Sequence, residues 1–160
     1  MKPNLGLNRE QITGVTQILT RALADEFILY TKTRNHHWNV VGLHFGQLHL
    51  LFEKQYDELA EAIDRIAERI RSLGRPAPGT LSEFLRHARL KEQPGKHPPA
   101  GKMVAQLLKD HESLIQSLRR DLAACVEDFG DAGTSDFLTG LMEDHEKTAW
   151  MLRAHLEKGD

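Results

Sequence analysis

Residues 37–68, HWNVVGLHFGQLHLLFEKQYDELAEAIDRIAE, decide the reading of this chain. They carry His37, His49, Glu53, Asp64 and Glu68 in the spacing H-x11-H-x3-E-x10-D-x3-E. Imidazole nitrogen mixed with carboxylate oxygen is a ligand set that suits divalent iron, manganese or zinc. From residue 46 to 73 there is no proline, and Ala, Leu, Glu, Arg and Ile dominate, so the segment reads as one helix. At about 100° per residue, Leu48, Leu51, Phe52, Leu59, Ala62, Ile63, Ile66, Ile70 and Leu73 form a broad core face. Gln47, Lys54, Glu58, Glu61, Arg65 and Ser72 lie opposite. Between the two runs a strip carrying His49, Glu53, Tyr56, Ala60, Asp64, Ala67 and Glu68.

A distance argument follows from that strip. His49 and Glu53 are one turn apart, as are Asp64 and Glu68, so each pair can pinch an ion. The two pairs stand roughly 22 Å apart on a helix rising about 1.5 Å per residue, and one straight helix cannot bring them to one metal. Two copies packed antiparallel about a two-fold axis near Glu58 and Leu59 can, because an isologous contact places each pair opposite the other and makes the site twice. Small Ala60 and Ala67 permit the close approach. His37, just before the helix, then completes a site shared between subunits.

Working outward, Asn8 and Gln11 form a capping box for a first helix, with Ile12, Val15, Leu19, Ala22, Leu23, Phe27 and Tyr30 at helical spacing as far as Asn35. HWNVVGLHFG joins it to the second helix, with Gly42 at the turn. His36 and His37 are adjacent and point in different directions, so one of them faces the metal. Gly74, Pro76, Pro78 and Gly79 stop the second helix, and Thr80 with Glu83 caps a short helix over 80–90. The basic stretch RHARLKEQPGKHPPAGK reads as a solvated loop; it has no aromatics for stacking on bases. A third long helix spans 102–129 and ends at Gly130. Thr134 or Ser135 caps the fourth. His111 and His145 follow the apolar stripes of these two helices and read as hydrogen-bonded core residues outside the metal site. Trp150 reads as core or interface packing. The expected architecture is all-α: a four-helix bundle with a short extra helix in the crossover between helices two and three. Residues 1–7 form a tail and 8–158 a single domain.

Composition narrows the function. The 160 residues fit one domain, and a formal net charge of -2 with 28% charged residues does not describe a strongly basic nucleic-acid binder. Cys125 is the only cysteine, which excludes an internal disulfide and fits a reducing cytoplasm. Its Ala-Ala-Cys-Val setting reads as core filling. No apolar run resembles a signal peptide or a membrane helix, so a soluble, unexported protein is expected.

HWNVVGLHF followed by H-x3-E and D-x3-E closely resembles the Dps family, the miniferritins named as DNA-binding proteins from starved cells. The resemblance implies a ferritin-like subunit of a dodecameric shell that oxidises ferrous iron, commonly with hydrogen peroxide, at sites shared across two-fold dimer interfaces. The ferric mineral is stored inside, and the cell and its DNA are protected from oxidative stress. By position, His37, His49 and Glu53 come from one subunit and Asp64 and Glu68 from its partner, with iron as the metal and zinc or manganese as competitors. The family's usual residue at the Glu53 position is Asp; the extra methylene keeps the carboxylate and moves its oxygens. Trp38 is either a packing anchor or, as the resemblance implies, a nearby acceptor of oxidising equivalents. Glu127, Asp128, Asp131 and Asp136, around the turn between the last two helices, either favour the helix dipole or line a cation pore at the shell's three-fold axes. A cytoplasmic location follows, with association with the nucleoid as the alternative.

Competing chemistries meet missing motifs. A di-iron centre inside one bundle asks for Glu-x-x-His, and no histidine here has glutamate three residues before it. Neither His111-Glu112 nor His145-Glu146 is followed by the second histidine of H-E-x-x-H. A DNA-condensing protein with iron oxidation secondary is the alternative from another class. The tail offers it only Lys2 and Arg9, and the C-terminal LEKGD is close to neutral, so weak DNA binding is expected.

Overall fold

In the computed structural model, which describes residues 3–157, the chain forms five helices: α1 Arg9–Asn39, α2 Phe45–Ser72, α3 Leu81–His87, α4 Ala100–Glu127 and α5 Ala132–Ala154. There is no strand among the described residues. The tail residue Lys2 and the last three residues of the chain lie outside them.

The Asn8 side chain accepts from the Gln11 amide at 2.9 Å, and Gln11 Oε1 accepts from Asn8 N–H at 2.8 Å, so the first helix starts with the expected reciprocal cap. It runs four residues past Asn35, because no glycine or proline stands before Gly42 to stop it. His36, His37 and Trp38 therefore occupy the last turn of α1 rather than a connecting segment. The remaining joint is residues 40–44, where Gly42 takes φ 108°, a value that disfavours any residue with a Cβ. So short a joint folds α2 back against α1, and α4 and α5 pair in the same way.

The core between the pairs is filled by Leu19, Leu23 and Leu29 of α1, Phe52, Ile66 and Ile70 of α2, Leu107, Leu114 and Leu118 of α4, and Leu138, Leu141 and Leu152 of α5. Each such side chain contributes roughly 1.5–3 kcal/mol by leaving water. Near the base, a Cβ on Gly14 would lie 2.2 Å from the Phe129 ring, so glycine is what lets α1 approach the end of α4. Cys125 is fully buried, and that burial pushes its thiol up to about 12, in keeping with core filling.

Thr80 and Glu83 cap α3 as expected, but the helix ends at His87 rather than residue 90. The chain beyond it is captured by a buried carboxylate. Asp25 of α1 accepts from the backbone amides of Arg89 (2.5 Å) and Leu90 (3.0 Å) and from Arg89 Nε (2.6 Å), while Arg89 Nη1 reaches Asp121 of α4 at 2.8 Å. Two further expectations need correction. Asp131, not Thr134 or Ser135, caps α5: its carboxylate accepts from Thr134 N at 2.9 Å and also pairs with Arg69 at 3.3 Å. Trp150 is 63% exposed, so it is not part of the core of this chain, and of its two expected roles packing at an interface is the one left. Among the described residues no helix is long and apolar enough to cross a membrane.

Candidate metal centre

The end of α1 and the start of α2 bring His37 and His49 face to face. Their rings stack with centroids 3.8 Å apart. His37 Nδ1 lies 2.8 Å from the His49 carbonyl, and His49 Nδ1 lies 3.0 Å from the His37 carbonyl. A carbonyl oxygen only accepts, so both Nδ1 atoms carry a proton, and in the neutral ring each Nε2 is the nitrogen with the lone pair. This reciprocal clamp fixes the tautomer and the ring plane of each histidine, which is how backbone carbonyls orient metal-binding imidazoles. His36, by contrast, turns into the bundle beside Phe52. Burial, helped by the Lys32 cation, lowers its pKa to about 4 and keeps its ring neutral.

Glu53 stands one turn beyond His49, partly buried, and accepts a long hydrogen bond of 3.5 Å from the Tyr56 hydroxyl. Tyr56 meets His37 edge-on at 5.2 Å. Its pKa is raised, first by partial desolvation and then by the Glu53 and Asp57 carboxylates. Over this aromatic group lies the Arg34 guanidinium, 5.1 Å from the Tyr56 ring and 5.3 Å from that of Trp38. Trp38 itself is 67% exposed, so it anchors no packing within the chain. Its indole is a neighbour of the site through Arg34.

Asp64 and Glu68 are exposed on α2, three and four turns further along, and do not join this group. Among the described residues no three His, Cys, Asp or Glu side chains converge on a point within one chain. What one chain brings together is two oriented imidazoles, with the Glu53 carboxylate one helical turn from His49.

The surrounding fold has known relatives. Residues 16–160 match the family model described as a ferritin-like domain. The chain is 38% identical over 144 residues to DNA protection during starvation protein 2 of Bacillus anthracis, covering 90% of this chain and 97% of that one. The chain belongs to the Dps family. An uncharacterized low temperature-induced protein of Nostoc sp. is 50% identical to this Dps chain over 96% of its length and 86% of the relative's. Among solved structures, DpsC from Streptomyces coelicolor superimposes with a TM-score of 0.94 at 29% identity, covering 100% of this chain and 93% of that one. The Dps protein from Vibrio cholerae O1, described as a member of a superfamily of ferritin-like diiron-carboxylate proteins, gives 0.89 at 32% identity and 98% of both chains.

This Dps chain also buries two polar residues, Glu26 and Gln55, that periodicity did not single out. Glu26 of α1 is fully buried, at a position where the helical spacing calls for an apolar residue. It accepts from His145 Nε2 at 2.7 Å, and His145 Nδ1 in turn lies 2.8 Å from His111 Nδ1. His111 and His145 are thus hydrogen-bonded core residues, as expected from their stripes. Burial, followed by the neighbouring His145, holds His111 well below the ordinary imidazole pKa. Gln55 of α2, 4% exposed, completes a set drawn from all four long helices. A charged residue interrupting an apolar stripe, as Glu26 does, was the available signal.

Proposed function

We propose that this chain is a ferroxidase and iron-storage subunit that works only in pairs. Ferrous iron is held where His37, His49 and Glu53 of one protomer meet Asp64 and Glu68 of a second copy, and is oxidised there. The observation that carries this reading is the His37–His49 clamp. Two imidazoles locked with both Nε2 lone pairs free, beside a carboxylate, have the chemistry of an iron site and lack only further negative ligands. The ferritin-like family suggests iron storage and protection of DNA, which supports iron as the substrate. Trp38, Val41, Leu43, Phe45 and Leu50 are large apolar residues exposed around the same helix ends, which supports covering of this face by another protomer.

With hydrogen peroxide as oxidant, two ferrous ions give up one electron each, the O–O bond breaks, and two protons are taken up as two waters leave. The neutral imidazoles fix the ions in place. The carboxylates favour the ferric product by charge. Trp38 and Tyr56, grouped around Arg34, are the oxidisable side chains nearest the site and accept stray oxidising equivalents. The product collects as ferric mineral inside a dodecameric shell, where Glu58 and Glu61 are candidate nucleation groups. Zinc and manganese compete for the same ligands. Exposed Glu127, Asp128 and Asp136 remain candidates to line a cation pore, whereas Asp131 is occupied by its cap and by Arg69.

Following ferrous oxidation optically tests the reading. Replacing His37→Ala and His49→Ala together is expected to lower the protein-dependent rate by roughly 100-fold, since even outer-shell partners of metal ligands matter by 10–100-fold. An unchanged rate would end the proposal. DNA binding is expected to be weak. In a gel shift, retardation should vanish above about 0.15 M salt, where surface charges are strongly screened, and persistent retardation would favour DNA condensation as the main task.

A further inference from the structure

The buried polar set at mid-bundle is not accounted for by iron oxidation at the dimer interface. Glu26, Gln55, His111 and His145 are buried, one from each long helix, in a largely apolar core. With Glu26 ionised and both rings neutral, the hydrogen bonds run in one direction. The carboxylate only accepts, so Glu26 Oε1 accepts from His145 Nε2–H. His145 Nδ1 is then the acceptor of its ring and accepts from His111 Nδ1–H. The relay ends by leaving His111 Nε2 as a lone pair.

That nitrogen is buried and has no partner in the protein. The same is true of both side-chain atoms of Gln55 and of Glu26 Oε2. Each such orphan costs about 1–3 kcal/mol, so four at one level call for an occupant. His111 and Gln55 both line a cavity of about 220 Å3 that opens between α2 and α5 past Glu58, Glu61, Arg65 and Asp144. A volume of that size holds several waters at about 30 Å3 each, enough to fill the remaining positions around an ion.

We propose that this cavity is a second, mononuclear cation site, in which His111 Nε2 and the Gln55 amide oxygen bind one borderline divalent ion of the zinc or ferrous type. Imidazole nitrogen selects such ions over magnesium or calcium, which prefer all-oxygen shells. Glu26 and His145 are positioning residues. A carboxylate behind an imidazole fixes its tautomer, and here that ordering passes through two rings in series. With a single carboxylate in the set, there is no second bridging group to hold a pair of ions. The binding step moves no electrons: the ion replaces cavity water at a neutral nitrogen and a neutral oxygen.

The probe is cobalt(II), whose visible ligand-field bands report nitrogen ligation, titrated into full-length protein carrying His37→Ala and His49→Ala so that the interface half-site is disabled. One cobalt per chain is expected to bind. Adding His111→Leu should abolish it, and adding Gln55→Leu, which removes the amide without opening a large void, should weaken it by roughly tenfold or more. Circular dichroism establishes that each variant is folded. If His111→Leu does not fold, Gln55→Leu and diffraction decide. Crystals of the native protein soaked separately in zinc and in ferrous salt, measured at each metal's absorption edge, should show one anomalous peak about 2.0–2.1 Å from His111 Nε2, and the stronger soak names the ion. Water alone in the cavity, or cobalt binding indifferent to both substitutions, overturns the proposal. No cobalt bound in the His37→Ala, His49→Ala background overturns it too, while leaving the interface ferroxidase reading intact.

Discussion

Two histidine pairs in this molecule are held in opposite ways. His37 and His49 stack beside the turn of the α1–α2 hairpin, and each donates its Nδ1–H to the other's backbone carbonyl. His111 and His145 meet inside the bundle Nδ1 to Nδ1, with Glu26 behind them. The first pair is oriented by backbone and has two free nitrogens turned over to whatever arrives from outside. The second is oriented by a buried charge and has one free nitrogen enclosed in the fold. Hydrogen-bond partners, more than the histidines themselves, decide which nitrogen is available and to what.

The contrast breaks most visibly in stability. Glu26→Ala leaves the buried His145 Nε2–H without its acceptor and should cost about 1–3 kcal/mol in denaturant unfolding, the usual penalty for an unsatisfied buried donor, plus a loss for the void it opens. His49→Ala at the outer pair should cost far less, because its ring is only partly buried. Equal losses at both would mean that the inner relay is ordinary packing.

Acid sharpens the same comparison. Burial lowers the His36 pKa to about 4 and lowers His111 as well, so between the ordinary imidazole value near 6.5 and about 4 the unfolded chain binds more protons than the folded one. Stability is therefore highest above about 6.5 and falls as pH drops through that window. The His36 share is on the order of 3 kcal/mol at most, from about 1.4 kcal/mol per pKa unit. Chemical denaturation at a series of pH values checks it: His36→Asn should flatten the curve, and an unchanged slope would contradict the assignment.

Much of this was legible in the sequence, for identifiable reasons. The 3.6-residue period of α2 is clean from Leu48 to Leu73, so its core face and the strip bearing His49 and Glu53 could be drawn without coordinates. Capping boxes at Asn8 and Thr80 marked helix starts because their chemistry is local. The end of α1 was not marked, since nothing between Asn35 and Gly42 either forbids or demands helix. The Asp131 cap was hidden because three oxygen-bearing residues compete within five positions. Least legible were Asp25 and Glu26. Their partners, Arg89, Leu90 and His145, lie 64 to 119 residues away, and only the folded chain brings them near. The Glu53–Tyr56 contact lay on the right strip, three residues apart, but its hydrogen bond depends on side-chain reach that spacing alone does not give.

The central claim, that each iron site draws on two copies of the chain, is tested most directly by subunit complementation. His49→Ala chains and chains carrying Asp64→Ala with Glu68→Ala should each be inactive alone in ferrous oxidation. Refolded together in equal amounts, half of the dimers are mixed by random pairing, and each mixed dimer regains one of its two sites, so the mixture should recover roughly a quarter of the native rate. A mixture as inactive as its components, with mixed dimers demonstrated by native mass spectrometry, would contradict a site shared between protomers.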